Sequence, residues 1–166
     1  MFWEKLGRAI ATFGFLEEVL GKATFAFTAT TRYGEDEIDV AFEKWLPTLE
    51  NALIDPLGNL IDAYAKAVRG NSAAIENLDE LLDELRKAST IRNVLCHGSW
   101  RSPDGHGRSV PLFVNRKKMV FDTPVDIAFL EQTRQGVAEL ACAVFSTVTH
   151  MGWQFPGSKG PGKAVF

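Results

Sequence analysis

The sequence predicts an all-α protein, an antiparallel bundle of four to five helices with a small β-hairpin inserted before the last helix. Three observations carry this expectation. Apolar residues recur at three- and four-residue steps over long windows, the period of helix faces turned to a core. Capping residues, prolines and glycines cut the pattern into segments where helices begin and end. One stretch, VPLFVNRKKMVFD, reads instead as two short apolar runs around a polar turn.

The first helix is expected from Phe2 to Phe27, where Trp3, Leu6, Ile10, Phe13, Leu16, Leu20 and Phe27 form one apolar stripe. Glu17 is polar amid that stripe, so it either borders the core or faces a cleft. TTRYGEDE reads as a turn, and Glu35, Asp36 and Glu37 put negative charge where the dipole of the next helix favours it. From Glu35 to Arg69 the pattern is helical but interrupted. Pro47 and Pro56 cannot donate a backbone hydrogen bond, so each kinks or restarts the helix. Asp55 as N-cap with Pro56 at N1 predicts a break near residue 55, and Gly70-Asn71 ends the stretch.

A third helix is expected from Ser72 to His97, with Ile75, Leu78, Leu81, Leu82, Leu85 and Leu95 on its buried side. Gly98 fits the C′ position that ends it. SPDGHGRS is rich in turn residues and leads into the hairpin pattern. TPVD opens the last helix, with Thr123 as N-cap, Pro124 at N1 and Asp126 at N3. Its apolar side runs through Ile127, Leu130, Val137, Leu140, Val144 and Val148 to about His150. The chain therefore divides into one helical bundle over residues 1–152 and a Gly/Pro-rich, flexible C-terminal tail over 153–166.

With 166 residues, 46% hydrophobic and 23% charged, the chain suits one globular domain with a sizeable core. Its net charge of -3 excludes polyanion binding by overall charge, so a nucleic-acid site must be a local basic patch. Cys96 and Cys142 sit inside apolar helical patterns, which fits buried thiols in a reducing compartment better than a disulfide framework. The N-terminal MFWEKLGRAIATFGFLEEVLGK carries charges every few residues, unlike a signal peptide. No run reaches the roughly 18 uncharged apolar residues of a membrane span. The expected setting is cytoplasmic, away from the membrane.

The stretch TIRNVLCHGSW concentrates chemistry. Asn93 and His97 lie one helical turn apart on one face, so the amide is placed to orient the imidazole. Arg92 is five positions from His97, about 140° around the axis, and a second copy of the helix supplies the pairing more easily than the same chain. Imidazole near neutrality moves protons to and from ribose oxygens, and a guanidinium matches the equatorial oxygens of a phosphorane. Such groups suit phosphodiester cleavage in RNA, and neither role requires a metal. His97, His106 and His150 have no carboxylate or thiol partner at metal-ligand spacing, so no metal or cofactor is expected.

Charge placement points to the same end of the helix. Between Gly98 and Phe121 stand Arg101, Arg108, Arg116, Lys117 and Lys118 against Asp104 alone, a local +4 that leaves -7 for the remainder. Arg101, Arg116, Lys117 and Lys118 are the candidate phosphate contacts, and Trp100 offers a stacking face for a base. Plainer readings account for the same letters. A histidine in a last helical turn is favoured by the dipole, a basic loop is solvated, and Trp100 covers the end of a core.

RNVLCHG resembles the R-N-x-x-x-H signature of the HEPN superfamily, helical-bundle domains of defence, toxin–antitoxin and RNA-processing systems. The resemblance rests on this motif and its place at the end of a long helix late in an all-α chain. It implies a homodimer with a composite cleft and a metal-independent endoribonuclease activity leaving 2′,3′-cyclic phosphate and 5′-hydroxyl ends, serving stress or phage defence. By position, Arg92 matches the motif arginine, Asn93 the polar residue after it and His97 the motif histidine. A toxin branch places a tyrosine two residues after the histidine, where a neighbouring enzyme modifies it; Ser99 stands there in this chain. A protein antitoxin or neighbouring enzyme is thus a partner the resemblance implies in general, without the tyrosine it would act on. Two further readings stay open at this point: a non-catalytic HEPN-like module that binds nucleotide or RNA or mediates assembly, and a helical interaction protein in which Arg92 and His97 are structural.

Overall fold

Five helices appear in the computed structural model, which describes residues 1–31, 34, 37–51, 56–71 and 74–159. They are α1 (Phe2–Ala29), α2 (Ile38–Asn51), α3 (Leu57–Gly70), α4 (Leu78–His97) and α5 (Ile127–Thr149). The all-α expectation holds at this level. No helix among the described residues is long and apolar enough to cross a membrane.

The apolar stripe of α1 is the spine of the core. Leu6, Phe13, Leu16, Leu20 and Phe27 are buried as the 3.6-residue period requires, and Ile10 is half-buried. At the start of the helix it is Phe2 rather than Trp3 that turns inward, and Trp3 stays half exposed. Helices α1 and α5 lie side by side and run the same way. Lys5 pairs with Glu131 near both starts, and Phe27 in the last turn of α1 meets Trp153, just past the end of α5, edge-on with ring centroids 5.4 Å apart. Helices α3 and α4 run oppositely, joined by Arg69–Asp79 at 2.8 Å and Asp62–Arg86 at 3.7 Å. The bundle is therefore not antiparallel throughout. The end of α4 returns to the start of α1, where Trp100 lies 5.8 Å from Phe2, so α5 sets out from the same end as α1.

Helix ends are fastened to one another. Asn71, just past α3, donates its amide to the Phe27 carbonyl (2.7 Å) and to Thr30 Oγ1 (3.0 Å), satisfying acceptors that the end of α1 leaves open. Asp126 caps α5 by accepting from the Phe129 N–H at 2.8 Å. That helix begins at Ile127, later than a start at Pro124, because Val125 and Ser109 exchange both backbone hydrogen bonds at 2.9 Å and hold the chain extended. Helix α4 likewise starts late, at Leu78 after Asn77 in a left-handed conformation (φ 55°), and Ser72, its expected start, lies outside the described residues. Pro47 sits inside α2 without ending it, and Pro56 is the N-cap of α3, not its first residue. Asp55 and the acidic Glu35 and Asp36 lie outside the described residues.

The expected β-hairpin does not form. Ser109, Leu112 and Val114 each pair with a different segment, at Val125, Ser99 and Val120 respectively, so the contacts remain isolated bridges. Met119 and Val120 are both largely exposed, which breaks the alternation a strand needs. The tail expected from Trp153 is anchored where it begins: Phe155 is buried and lies 4.3 Å from Phe145. Residues 160–166 lie outside the described residues.

Gly98 ends α4 for a reason other than a left-handed turn. Its φ of -66° and ψ of 139° are open to any residue, but a Cβ there would stand 2.6 Å from the Val94 carbonyl oxygen and 2.8 Å from Pro111 Cβ. Glycine is required by the close approach of the returning chain. Gly98→Ala is expected to lower stability by about 1–3 kcal/mol, as overpacking does, measured as a shift in urea midpoint at constant slope.

Tyr64 is fully buried, with its hydroxyl 2.9 Å from Thr147 Oγ1. Thr147 gives its own proton to the Val144 carbonyl at 2.6 Å, so the phenol donates to Thr147. Burial, which disfavours the charged phenolate, pushes the phenol up to about 12 from its ordinary 10.0. The unfolded chain thus releases this proton first as pH rises, and the stability present below pH 10 drains away toward pH 12, by about 2–3 kcal/mol in all. Urea unfolding between pH 8 and 11.5 should show this decline in the wild type and a flatter profile in Tyr64→Phe.

Candidate functional site

Arg92 stands two turns beyond Leu85, on the stripe of α4 that faces the core. A guanidinium in that position keeps its charge at all relevant pH and needs a partner within reach. Glu17 supplies it from α1: Arg92 Nε donates to Glu17 Oε1 at 3.2 Å, and both side chains are only about a quarter exposed, at 21% and 26%. The polar residue in the α1 stripe therefore faces the cleft and does more than border the core.

The same guanidinium reaches the motif histidine. Arg92 Nη1 lies 3.2 Å from His97 Nε2, and since arginine only donates, Nε2 accepts. The pairing forms within one protomer: the length of the arginine side chain spans the angular gap that the sequence assigned to a second copy. His97 is exposed and open to solvent on its outer side. Asn93, one turn earlier, is also exposed, and the group that meets the imidazole in this arrangement is Arg92.

Cys96, one turn after Arg92, is half-buried and belongs to the same neighbourhood, a residue that sequence reasoning treated only as a core thiol. Burial pushes its thiol up; the Arg92 charge pulls it down and the Glu17 charge pushes it up. The signal in the sequence was its i+4 spacing from Arg92.

Beyond the helix the chain folds back at once. Ser99 and Leu112 exchange backbone hydrogen bonds at 2.9 Å, setting the basic insert against the end of α4. Trp100 is half-buried, donates its indole N–H to the Leu95 carbonyl at 3.2 Å and packs on the core beside Phe2. Arg101, Arg116, Lys117 and Lys118 are exposed and form no ion pair among the described residues, whereas Arg108 pairs with Asp104 at 3.7 Å. The turn at residues 115–118 is held by Asn115, whose side-chain oxygen accepts from Lys117 N–H (2.9 Å) and Met119 N–H (3.0 Å), with Lys118 left-handed at φ 61°. No hydrogen bond or ion pair joins these cations to Glu17, Arg92 or His97. Among the described residues no three His, Cys, Asp or Glu side chains converge as a metal site would need.

Comparison with known proteins finds no family model, no curated protein and no solved structure that matches the chain.

The opposing pulls of Glu17 and Arg92 make Cys96 a reporter of the site. In a Cys142→Ala background, Glu17→Gln is expected to raise the rate of Cys96 alkylation by iodoacetamide at pH 8 several-fold, and Arg92→Gln to lower it, since only the thiolate reacts.

Proposed function

We propose that the chain is a HEPN-type endoribonuclease, metal-independent and acting as a homodimer in stress or phage defence. The observation that carries this reading is the contact between Arg92 and the exposed His97, backed by Glu17. A neutral imidazole beside a guanidinium is the pair that cleavage of RNA by its own 2′-hydroxyl requires.

In this reading the scissile phosphate draws the Arg92 guanidinium off the imidazole, because a dianionic phosphorane offers it two oxygens in place of one ring nitrogen. Nε2 of His97 is then free to take the 2′-hydroxyl proton as the oxygen attacks phosphorus and the bond to the 5′-oxygen breaks. The proton returned to that oxygen comes from an imidazolium, His97 itself or that of the second copy. Asn93, exposed one turn away, orients the ring once Arg92 has moved, and Glu17 keeps the guanidinium aimed while the site is empty. Arg101, Arg116, Lys117 and Lys118 hold flanking phosphates, and the open part of Trp100 borders a base.

Fluorescence-quenched RNA substrates test the proposal. His97→Ala is expected to reduce cleavage by at least about 10²-fold with the melting temperature unchanged, and Arg92→Ala to reduce it comparably. EDTA is expected to leave wild-type activity intact. Equal cleavage by wild type and His97→Ala would overturn the reading. Salt-sensitive RNA binding with no turnover would leave the binding module in its place.

A further inference from the structure

The end of α4 gathers within one chain the groups that helical spacing would divide between two. Arg92 Nη1 lies 3.2 Å from His97 Nε2, and Glu17 of α1 accepts from Arg92 Nε at 3.2 Å. The Arg92 side chain is only 21% exposed, so its own protomer covers most of it. Carrying that guanidinium out to a second molecule would strip the Glu17 carboxylate, itself 26% exposed, of the cation that balances it.

The approaches to His97 are narrowed by the same chain. The insert folds back through the Ser99–Leu112 hydrogen bonds, and Val94, which lies off the core stripe of α4, is buried. A guanidinium from another molecule would have to come in on the open side of the imidazole, toward a lone pair that Arg92 already occupies. Asn93 carries no titratable group and Cys96 is half-buried, which leaves the exposed imidazole as the group placed to exchange a proton with a ligand.

We propose that the ribonuclease site is complete in one protomer: Arg92 and His97 of the same chain act on one scissile phosphate, with Glu17 of that chain holding the guanidinium. The 2′-oxygen attacks phosphorus as its proton passes to Nε2 of His97. The bond from phosphorus to the 5′-oxygen then breaks, and the same proton goes to that oxygen, so a single imidazole closes the balance. Arg92 faces the equatorial oxygens throughout. This rests on the ribonuclease reading and deepens it, since a homodimer then carries two independent sites in place of one composite cleft.

Mixed dimers of differently tagged full chains separate the two arrangements, with quenched RNA as substrate. One wild-type chain beside a chain carrying both Arg92→Lys and His97→Ala is expected to keep about half of wild-type cleavage, whereas a composite cleft would lose it all. One Arg92→Lys chain beside one His97→Ala chain reverses the signs. It is expected to cleave no better than either single variant, whereas a composite cleft would regain about half of wild type. Arg92→Lys keeps a cation for Glu17, so the fold is retained while the planar fork is lost. Loss in the first mixture or rescue in the second overturns the proposal. Should wild type sediment as a monomer, cleavage per chain that holds on dilution supports a one-protomer site, and cleavage that falls overturns it.

Nitrogen-15 spectra of His97 give a readout that needs no cleavage. The Nε2 resonance is expected to move in labelled Arg92→Lys, and to stay in place in a labelled wild-type chain dimerised with unlabelled Arg92→Lys. The opposite result in either sample overturns the pairing within one chain. A wild type that fails to cleave removes the ribonuclease reading, and these spectra then decide the pairing by themselves.

Discussion

A positive charge on the core-facing stripe of α4 sets the terms for this end of the bundle. Hydrophobic side chains would satisfy that position by packing alone, as Leu85 does two turns earlier. Arg92 instead has to be partnered, and the Glu17 carboxylate has to come from the neighbouring helix at the matching level. The relative placement of α1 and α4 is thus constrained electrostatically as well as by area. One guanidinium then has donors left over, and the nearest acceptor is the imidazole at the end of its own helix. The chemistry of the site follows from where the charge was put, because a buried-side arginine with a single carboxylate partner keeps N–H groups free for a second acceptor.

A close approach of backbone fixes what surrounds that site. Pro111 reaches so near Gly98 that only glycine fits, and the Ser99–Leu112 hydrogen bonds follow directly. Once the chain has turned back this tightly, the insert covers the outer face of the last turn of α4. This accounts for Val94, which points away from the α4 core stripe and is nevertheless buried. The same turn divides the apolar residues of the insert into an inner set on the bundle and an outer set in water. A single steric condition at Gly98 thereby sets both the mouth of the site and the exposed ridge beside it.

The sequence made the helices legible and their ends less so. Stripes with a 3.6-residue period identified α1, α4 and α5 because burial on one face leaves a repeating signal over many residues. Local chemistry decided the boundaries, and there a tertiary pairing prevailed. Val125 is bonded to Ser109, a residue far off in the chain, and so the capping role passed from Thr123 to Asp126. The hairpin was misread for a related reason: Val114 does pair across the expected turn, with Val120, but Leu112 pairs instead with Ser99, so a single bridge stands where a ladder was expected. Of the site, Arg92 and His97 were legible by type and spacing, and Glu17 as a polar residue in an apolar stripe. Their meeting within one protomer was the less favoured of two readings, because a helical wheel gives directions of Cβ and leaves open how far a flexible side chain curls back.

The tautomer of His97 links this geometry to chemistry. While Arg92 donates to Nε2, the lone pair of that nitrogen is occupied. In the proposed ribonuclease reading, that lone pair is freed when something more strongly accepting takes the guanidinium away. Carboxylates, phosphates and phosphoranes all qualify on charge, but a planar fork of two N–H groups discriminates among them by the spacing of the two acceptor oxygens. Glu17 is bound through Nε alone, so Nη1 and Nη2 form a free fork once the contact with His97 is given up. In the proposed ribonuclease, an arginine arranged in this way would couple arrival of the scissile phosphate to release of a base, through side-chain movement alone.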